Sequence, residues 1–401
     1  MKHSIPIPLE RTTITEEVLE LLDYETYYIS IGSDLGDHLL VNRRNAINLA
    51  TNNYLGLAND PRIKAAYIAA IEKYGISMCA TPIAGGYTDQ FEAVDAALSP
   101  FIGAECLLIY PSCYQANNGL FSAIATKDDL VLFDRCAHSS LIQGIQPVGC
   151  RKYPFGHNDP DALEYLLQKK QGYKHVFVVT ESVFSTEGSI APFDEIYRLC
   201  MKYGATPVVD DSHGIGVLGA HGGGILDHFG IQDYAGIYTT SMGKAMANNC
   251  GVVAGPRHVI EYMKYYSSHL VYSTAVSPCV LAGILRTLDI LAEEYDERIA
   301  RVYRYRDAIR ASLQSAGYIM ASGAAPINSV EAGTSINTIR LSRSLYDHGV
   351  ITTPFVYPSV PKTQGRVRLI AGANLSEDTI AHACEVFAML SEDVQTEEPC
   401  A

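Results

Sequence analysis

Short apolar runs alternate with amphipathic stretches through the middle of the chain. The runs have the length of buried strands, and the stretch 194–203 between two of them carries its apolar residues on one helical face. Strands that alternate with helices predict a mainly parallel sheet with crossover helices on both faces. The strand candidates are Cys106–Tyr110, Leu130–Phe133, His175–Glu181, Thr206–Asp211, Gly236–Thr240 and Gly251–Ala254.

The pattern changes after Pro278. Residues 280–316 are rich in Leu, Ala, Glu and Arg and predict one long helix. Shorter strand-like pieces follow at Ser335–Leu341 and Arg366–Ile370, and Ser376 is a good N-cap for a last helix. We therefore expect a smaller α+β domain at the C-terminal end.

These patterns divide the chain into three parts. We expect an N-terminal arm over residues 1–48, a large α/β domain over 49–280 and a small α+β domain over 281–401. The arm contains a helical-looking acidic stretch at Glu16–Asp23. The acidic C-terminal tail is expected to be frayed.

Composition limits the classes of partner. The 401 residues carry a formal net charge of −14, so nucleic acids and anionic membrane surfaces are not expected to bind. No apolar run approaches the ~18 residues that span a bilayer. The ten cysteines are scattered without a CxxC pair, and the N-terminus has no signal pattern, which favours reduced thiols, no metal site and a cytoplasmic location.

Polar residues lie at the ends of three of the predicted strands or shortly after them. Asp210 lies at the end of one strand and His213 follows it, Ser185 follows another strand, and Lys244 follows a third. The carboxyl ends of parallel strands share one edge of the sheet, where ligands bind. A carboxylate, an imidazole and an amine at that edge suit pyridoxal 5′-phosphate: the amine forms an imine with its aldehyde, and the carboxylate keeps its ring nitrogen protonated.

The phosphate of such a cofactor requires backbone N–H groups at a helix N-terminus and a few hydroxyls. Ser112, Cys113 and Tyr114 enter a helix after the strand Cys106–Tyr110, and Ser241 precedes Lys244. His138 follows another strand and is placed to stack on a ring.

Each of these residues also has a structural interpretation when it is taken alone. Asp210 and Ser112 suit helix N-caps, and a lone histidine in a turn is more often structural. A lone lysine or arginine, such as Lys244 or Arg368, is more often a solvated surface residue. The functional interpretation depends on their conjunction.

Nine motifs, in order, carry a more specific signal. Together they resemble the α-oxoamine synthase family of fold-type I pyridoxal phosphate-dependent enzymes. The resemblance implies an α/β fold-type I architecture with a mainly parallel seven-stranded sheet and a smaller α+β domain. The motifs are TNNYLGLA (51–58), PSCYQANNG (111–119), DRCAHSSLIQG (134–144), HNDPDALE (157–164), ESVFSTEGSIAP (181–192), VVDDSHGIGVLG (208–219), SMGKA (241–245), YSTAVSP (272–278) and RVRL (366–369).

The resemblance also implies roles for the cofactor-side residues. Lys244 would form the imine with the cofactor and act as the base at the substrate Cα, and Asp210 would pair with the pyridinium nitrogen. His213 and Ser185 would approach the ring hydroxyl oxygen, and His138 would stack on the ring. The backbone around Cys113 and Tyr114, with Ser112 and Ser241, would hold the phosphate.

Further roles follow from the same resemblance. Ser273 and Thr274 would reach the phosphate of a neighbouring subunit, which implies a homodimer with shared active sites. Arg368 would bind the carboxylate of an amino-acid substrate, and Asn52 would be another substrate contact. The implied reaction is a decarboxylative condensation of an amino acid with an acyl thioester that yields an α-amino ketone.

The chain departs from the family pattern at several points. Residues 74–89 contain no arginine, Cys113 stands where glycine is usual, and Asn374 stands where histidine is common. The segment after Lys244 also lacks the usual pair of glycines. Cys113 requires either a right-handed backbone or a rebuilt turn.

The sequence leaves alternatives open. A lyase, a retro-Claisen enzyme or an aminotransferase-like enzyme would use the same cofactor, and a non-catalytic partner subunit would use none. The presence of Lys244, Asp210, His213 and His138 together argues against a non-catalytic subunit. The amino acid, the acyl chain and the carrier of the acyl group, coenzyme A or a carrier protein, are not indicated.

Overall fold

The computed structural model describes residues 27–170 and 172–391. The strands are β1 His38–Val41, β2 Arg44–Asn48, β3 Cys106–Tyr110, β4 Leu130–Asp134, β5 Arg151–Phe155, β6 Val176–Glu181, β7 Thr206–Asp210, β8 Ile237–Ser241, β9 Gly251–Gly255, β10 Asn328–Gly333, β11 Val350–Ile351, β12 Thr353–Phe355 and β13 Gly365–Leu369. The helices are α1 Pro61–Tyr74, α2 Asp89–Ile102, α3 Cys113–Ile124, α4 Ser139–Ile145, α5 Pro160–Gln168, α6 Phe193–Tyr203, α7 Ile225–His228, α8 Arg257–Tyr266, α9 Ser268–Val271, α10 Pro278–Ser315, α11 Ser335–Asp347 and α12 Glu377–Met389. A 3₁₀ turn spans Pro82–Ala84.

A seven-stranded sheet forms the centre of the larger part, in the order β3-β9-β8-β7-β6-β4-β5. All neighbouring pairs are parallel except those of β9, which runs antiparallel to β3 and β8. The six predicted strands are confirmed to within a residue or two at their ends. The seventh, β5, is an edge strand with mostly exposed residues, so it lacks a buried apolar run.

Helices cover both faces of this sheet because its strands are buried on both sides. Along β3, Leu107 and Ile109 belong to one hydrophobic core, and Leu108 and Tyr110 belong to the other. The predicted helix at 194–203 is confirmed as α6, which ends at Gly204 in the left-handed conformation.

The C-terminal part is built around a three-stranded antiparallel sheet in the order β10-β13-β12. The predicted strand at Arg366–Ile370 is confirmed as β13, and Ser376 caps α12 by accepting the Thr379 N–H. The strand predicted at Ser335–Leu341 is wrong, because this segment is the start of helix α11. Thr334 caps that helix through the Asn337 N–H, and its buried residues recur at helical spacing.

Residues 38–48 form the antiparallel hairpin β1–β2, and β2 pairs in parallel with β11. This part of the predicted arm is therefore joined to the C-terminal part of the chain. The predicted helix at Glu16–Asp23 and most of the predicted tail lie outside the described residues, and the boundaries at 48 and 280 stay predictions.

Helix α10 links the cores of the two parts over 38 residues. Its first half packs in the core of the large sheet, and Tyr305, Ile309 and Leu313 pack in the C-terminal core. Arg298 Nη1 donates to the Leu55 carbonyl at 2.7 Å, and Tyr305 Oη donates to the Leu375 carbonyl at 2.9 Å. Among the described residues, no helix has the length and apolar character needed to cross a membrane.

Candidate active site

The chemistry-bearing residues meet at the carboxyl edge of the large sheet. Asp210 ends β7, where it is in register with Glu181 at the end of β6 and with Thr239 of β8. Lys244 lies in the turn that follows β8. The structure thus brings Asp210 and Lys244 to one place, as the strand pattern predicts.

Lys244 is half-buried, and its Nζ makes no hydrogen bond or ion pair within residues 27–170 and 172–391. Burial lowers the pKa of the Lys244 amine, and the nearby Arg368 charge acts in the same direction. The Asp210 carboxylate opposes this shift only in part. A lysine with a lowered pKa and no partner is suited to nucleophilic and base chemistry.

Asp210 is buried and held from two sides. Its Oδ2 accepts a hydrogen bond from Asn117 Nδ2 at 2.7 Å, and its Oδ1 accepts one from the Ser212 backbone N–H at 3.0 Å. Burial and the charge of Asp210 raise the pKa of Glu181 well above its usual range, so Glu181 stays protonated beside it. Glu181 therefore lies beside Asp210 as a neutral neighbour.

His213 is buried beside this carboxylate edge. Its Nδ1 lies 2.9 Å from Tyr54 Oη, and the two rings meet edge to face at 87°. Burial lowers the pKa of His213 well below its usual range, and the charges of Lys244 and Arg368 add to the effect. A neutral imidazole therefore lies at this position.

His138 is the N-cap of α4 and accepts the Ser140 backbone N–H at its Nδ1, at 3.2 Å. Ser140 Oγ lies 2.7 Å from the same nitrogen. Burial lowers the pKa of His138, and the Lys244 charge adds to this, whereas the Asp210 charge opposes it. Hydrogen-bonded contacts that run from Asp210 through Asn117 and Ser140 to His138 place its ring in the same pocket.

The N-terminus of α3 forms an anion-binding cradle. Ser112 accepts the Gln115 N–H at 3.2 Å, which leaves the Cys113 and Tyr114 N–H groups without a partner among the described residues. Gly251 packs directly against this turn, since a Cβ at Gly251 would lie 2.3 Å from the Cys113 nitrogen. Ser241 is in register with Gly251, and its hydroxyl therefore lies beside the cradle.

The backbone conformation of Cys113 decides between the two alternatives that the sequence leaves open for this turn. It is the first residue of α3 and has a right-handed backbone, so no glycine is needed there. Ser212 Oγ lies 3.3 Å from its Sγ. Burial and the Asp210 charge raise the pKa of the thiol well above its usual range, so it fills space as a neutral group.

Arg368 is the buried cation of the pocket, with 6% of its surface exposed. Its Nη1 donates to the Ser185 carbonyl at 3.1 Å, and its guanidinium lies 4.8 Å from the centre of the Phe355 ring. Its Nε is buried without a hydrogen-bond partner in the described part of the chain, and the same holds for Asn52 Oδ1. Buried polar atoms without partners indicate a site that a ligand completes.

The loop after β6 packs against the C-terminal sheet through a row of side-chain hydrogen bonds, which we call the seam. Ser329 Oγ donates to the Thr186 carbonyl at 2.7 Å, and Arg366 Nη1 donates to Glu187 Oε2 at 2.9 Å. Arg366 and Arg368 are alternate residues of β13 and so share one face of the strand. The seam fixes the strand that carries Arg368.

His157 extends this seam into the large sheet. Its Nδ1 lies 3.0 Å from Asp134 Oδ1, and its Nε2 lies 3.2 Å from Ser189 Oγ and 3.4 Å from Glu187 Oε1. Cys136 Sγ is also near, but the contacts of His157 already occupy both ring nitrogens. The group is a charged network that links the two parts of the fold.

Known proteins with the same sequence pattern and fold decide the family. The model of aminotransferase class I and II matches residues 44–387. The chain is 33% identical over 391 residues to the 8-amino-7-oxononanoate synthase of Alkaliphilus oremlandii, covering 96% of this chain and 98% of that one.

The chain belongs to the α-oxoamine synthase family.

Solved structures show the same fold. The serine palmitoyltransferase of Sphingomonas wittichii has the same fold, with a TM-score of 0.90 over 98% of each chain at 23% identity. The 8-amino-7-oxononanoate synthase of Francisella tularensis has a TM-score of 0.74 at 26% identity and covers 87% of this chain and 98% of that one. The predicted fold-type I architecture is confirmed.

Family membership also gives the cofactor and the reaction class. This α-oxoamine synthase uses pyridoxal phosphate, as predicted, and the described residues fit that group. The open N–H groups of α3 suit its phosphate, Asp210 suits its ring nitrogen, and the unpaired Lys244 amine suits its aldehyde. The enzyme is a C-acyltransferase that condenses an amino acid with an acyl thioester and releases carbon dioxide.

Two predicted cofactor residues stand at the margin of this pocket. Ser273 Oγ accepts a hydrogen bond from Gln115 Nε2 of the same chain at 3.2 Å, close to the cradle. Thr274 is exposed. Their assigned role is toward a second subunit, and it stays a prediction.

The sequence reasoning missed several residues of the α-oxoamine synthase site. Asn117 and Ser140 are fully buried and contact Asp210 and His138, and Tyr54 contacts His213. All three lie inside quoted motifs, so the motifs contained the signal. Their partners are remote in sequence, and only the fold reveals the contacts.

Proposed function

We propose that three residues of this pocket have separate roles in the condensation. Arg368 binds the carboxylate of the amino acid, Lys244 moves the proton at its Cα, and Asp210 holds the cofactor ring in its active protonation state. The observation that supports this most directly is that the Lys244 amine and the buried Arg368 Nε both lack a hydrogen-bond partner among the described residues.

Pyridoxal phosphate, when bound, supplies an aldehyde for covalent linkage and a ring that withdraws electrons from the substrate Cα. Lys244 then accepts the Cα proton, because burial favours its neutral form. The Cα would form a bond to the acyl carbon as the carbon–sulfur bond breaks and the thiolate leaves. The bond from the Cα to the carboxylate would then break to release carbon dioxide, with its electron pair left at the Cα. Lys244 returns a proton to the same carbon.

Arg368 orients the substrate for these steps. A guanidinium can bind a carboxylate through two parallel hydrogen bonds, and Nε is one of the donors that remain open. Asn52 is proposed as a second substrate contact, because its Oδ1 is buried without a hydrogen-bond partner among the described residues. Burial excludes water from the ion pair, which strengthens it.

The α-oxoamine synthase is also proposed to act as a homodimer with shared sites. Large tyrosine rings are exposed near the cradle and on α8, including Tyr114, Tyr262 and Tyr265. A second copy would cover such a face. Mixing two inactive variants, Lys244→Ala and the double variant Ser273→Ala/Thr274→Ala, should then restore part of the activity. A cytoplasmic location stays a prediction from the sequence.

Product analysis tests the reaction. The purified enzyme with pyridoxal phosphate is given each of the twenty amino acids with acyl-coenzyme A of several chain lengths, and free thiol and carbon dioxide are measured. Equal release of both supports the proposal. Keto acid without thiol would show an aminotransferase-like reaction, and an aldehyde or acyl fragment without carbon dioxide would show a lyase.

Two variants test the residue roles. Lys244→Ala should abolish turnover, with the exposed Lys174→Ala as the control. Arg368→Ala should raise the KM for the amino acid by about a hundredfold, a loss typical of a buried charge-assisted pair, whereas the exposed Arg340→Ala should not. An unchanged KM in Arg368→Ala would move the carboxylate site elsewhere.

A further inference from the structure

A single hydrogen-bonded chain connects Asp210 to His138. Asn117 Nδ2 donates to Asp210 Oδ2 at 2.7 Å and to Ser140 Oγ at 2.9 Å. Ser140 Oγ in turn lies 2.7 Å from His138 Nδ1. The carboxylate on one side of the pocket and the imidazole on the other are thus joined through two side chains.

The orientation of the Asn117 amide follows from its neighbours. An amide nitrogen carries two hydrogens, and the two short contacts use both of them. The reversed amide would place Oδ1 against the Asp210 carboxylate, where two acceptors repel each other. Asn117 therefore donates both bonds, and its buried Oδ1 lacks a partner among the described residues.

The contacts of Ser140 and His138 also indicate where the remaining protons lie. Ser140 Oγ accepts from Asn117, which leaves its own hydrogen available to donate to His138 Nδ1. That nitrogen also accepts the Ser140 backbone N–H at 3.2 Å. A proton on Nδ1 would face two donors, so the neutral ring must carry its proton on Nε2.

Tight packing holds the side chains of this hydrogen-bonded chain in place. Asn117 is 0% exposed and Ser140 is 2% exposed, and they lie on neighbouring helices α3 and α4. The helices approach closely at Gly144, where a Cβ would lie 2.6 Å from the Asn117 carbonyl oxygen. A larger residue at 144 would separate the two helices and break the contact between Asn117 and Ser140.

We propose that Asn117 and Ser140 are positioning residues of this active site, which orient the Asp210 carboxylate and fix His138 as the tautomer with its proton on Nε2. The inference rests on the proposed assignment of Asp210 and His138 to the cofactor pocket. It adds that the same two side chains orient both Asp210 and His138. The His138 ring then presents the N–H of its Nε2 to the substrate and has no free lone pair.

The tautomer can be measured in the wild-type enzyme without any reaction. Histidine labelled with ¹⁵N is incorporated, and the His138 resonances are assigned among the 12 histidines by their loss in His138→Gln. We expect a pyridine-type Nδ1 and a pyrrole-type Nε2 at neutral pH, in the apoenzyme as well as the holoenzyme. A pyrrole-type Nδ1 or an imidazolium would overturn the inference, and the condensation activity of the same sample would leave the proposed function standing.

Variants separate positioning from general stability. Ser140→Ala should give a mixture of His138 tautomers and lower kcat about tenfold to a hundredfold with little change in KM, as small misplacements of catalytic groups do. Ser140→Thr keeps the hydroxyl and should restore the wild-type spectrum. The exposed neighbour Ser139→Ala is the control. Wild-type His138 resonances in Ser140→Ala, or the same change in Ser139→Ala, would overturn the inference.

Discussion

Arg366 Nη1 donates a hydrogen bond to Glu187 Oε2 at 2.9 Å, and both side chains are largely buried. This bond ties the loop after β6 to the strand that carries Arg368. Replacement of Glu187 by glutamine removes the charge and keeps the shape. We expect Glu187→Gln to raise the KM for the amino acid several-fold more than it lowers kcat, because Arg368 loses its fixed position.

The control is Glu164→Gln, which breaks an exposed ion pair with Lys202 on the far helices. Steady-state kinetics on the two variants measure the difference. Equal KM values for Glu187→Gln and wild type would show that Arg368 is held by its own contacts alone.

His157 should make the stability of the fold depend on pH. Burial alone would lower the pKa of His157, but its hydrogen bonds to Asp134, Cys136 and Glu187 outweigh this and raise the pKa from 6.5 to about 11. Because the folded pKa lies above the unfolded one, the network stabilises the fold fully below pH 6.5 and loses this contribution as the pH rises toward about 11.

Urea unfolding measures this effect. We expect His157→Gln to lower the free energy of unfolding by about 1–3 kcal/mol at neutral pH. The difference from wild type should shrink as the pH rises. His175→Gln, which alters an exposed histidine beside Asp129, is the control. Parallel pH profiles for wild type and His157→Gln would contradict the prediction.

Asp210→Asn should impair the chemistry more than the binding of the amino acid. An amide cannot supply the negative charge that keeps the cofactor ring nitrogen protonated, so kcat should fall about a hundredfold or more. The exposed Asp128→Asn is the matched control. A normal kcat in Asp210→Asn would show that another group sets the ring protonation state.

Gly251→Ala should weaken cofactor binding without touching a functional group. A Cβ at 251 would lie 2.3 Å from the Cys113 nitrogen, which forms the cradle. We expect the Kd for pyridoxal phosphate to rise about tenfold, equivalent to about 1.4 kcal/mol. Gly149→Ala is the control, because its added Cβ meets only Lys127 Cβ at 3.8 Å. Equal Kd values for both variants would place the phosphate elsewhere.

Several parts of the site were predictable because parallel strands end at one edge of a sheet. Asp210 and Lys244 follow separate apolar runs, and that pattern alone is enough to bring them together. The strand predictions succeeded for the same reason, since a strand buried on both faces is a continuous apolar run. The exposed edge strand β5 has no such run and was missed.

Local composition predicts the wrong secondary structure where tertiary packing determines the element. The segment from 335 contains Ile and Thr, which favour strands, yet it forms helix α11 because Thr334 caps it and one helical face is buried. Asn117 was missed for another reason: its partner Asp210 lies 93 positions away, and a polar residue inside a helix shows nothing of its contact in the sequence.

The departures from the family pattern have different consequences. Asn374 has a structural use: its Nδ2 donates to the Leu35 carbonyl at 3.3 Å, and its Oδ1 accepts from Asn53 Nδ2 at 3.4 Å. The arginine-free segment 74–89 exposes Ile76 and Ile83 instead of a cation. Nothing in the described contacts assigns a substrate group to that segment.

Helix α10 contributes side chains to two cores at once, and this has a consequence for how the enzyme fails. A substitution that destabilises the packing of Ile309 or Leu313 should also disturb the part of α10 that packs in the large core. Because the two cores share this helix, we expect heating to produce one calorimetric transition, and damage far from the chemistry should cost the enzyme its cofactor and its fold together.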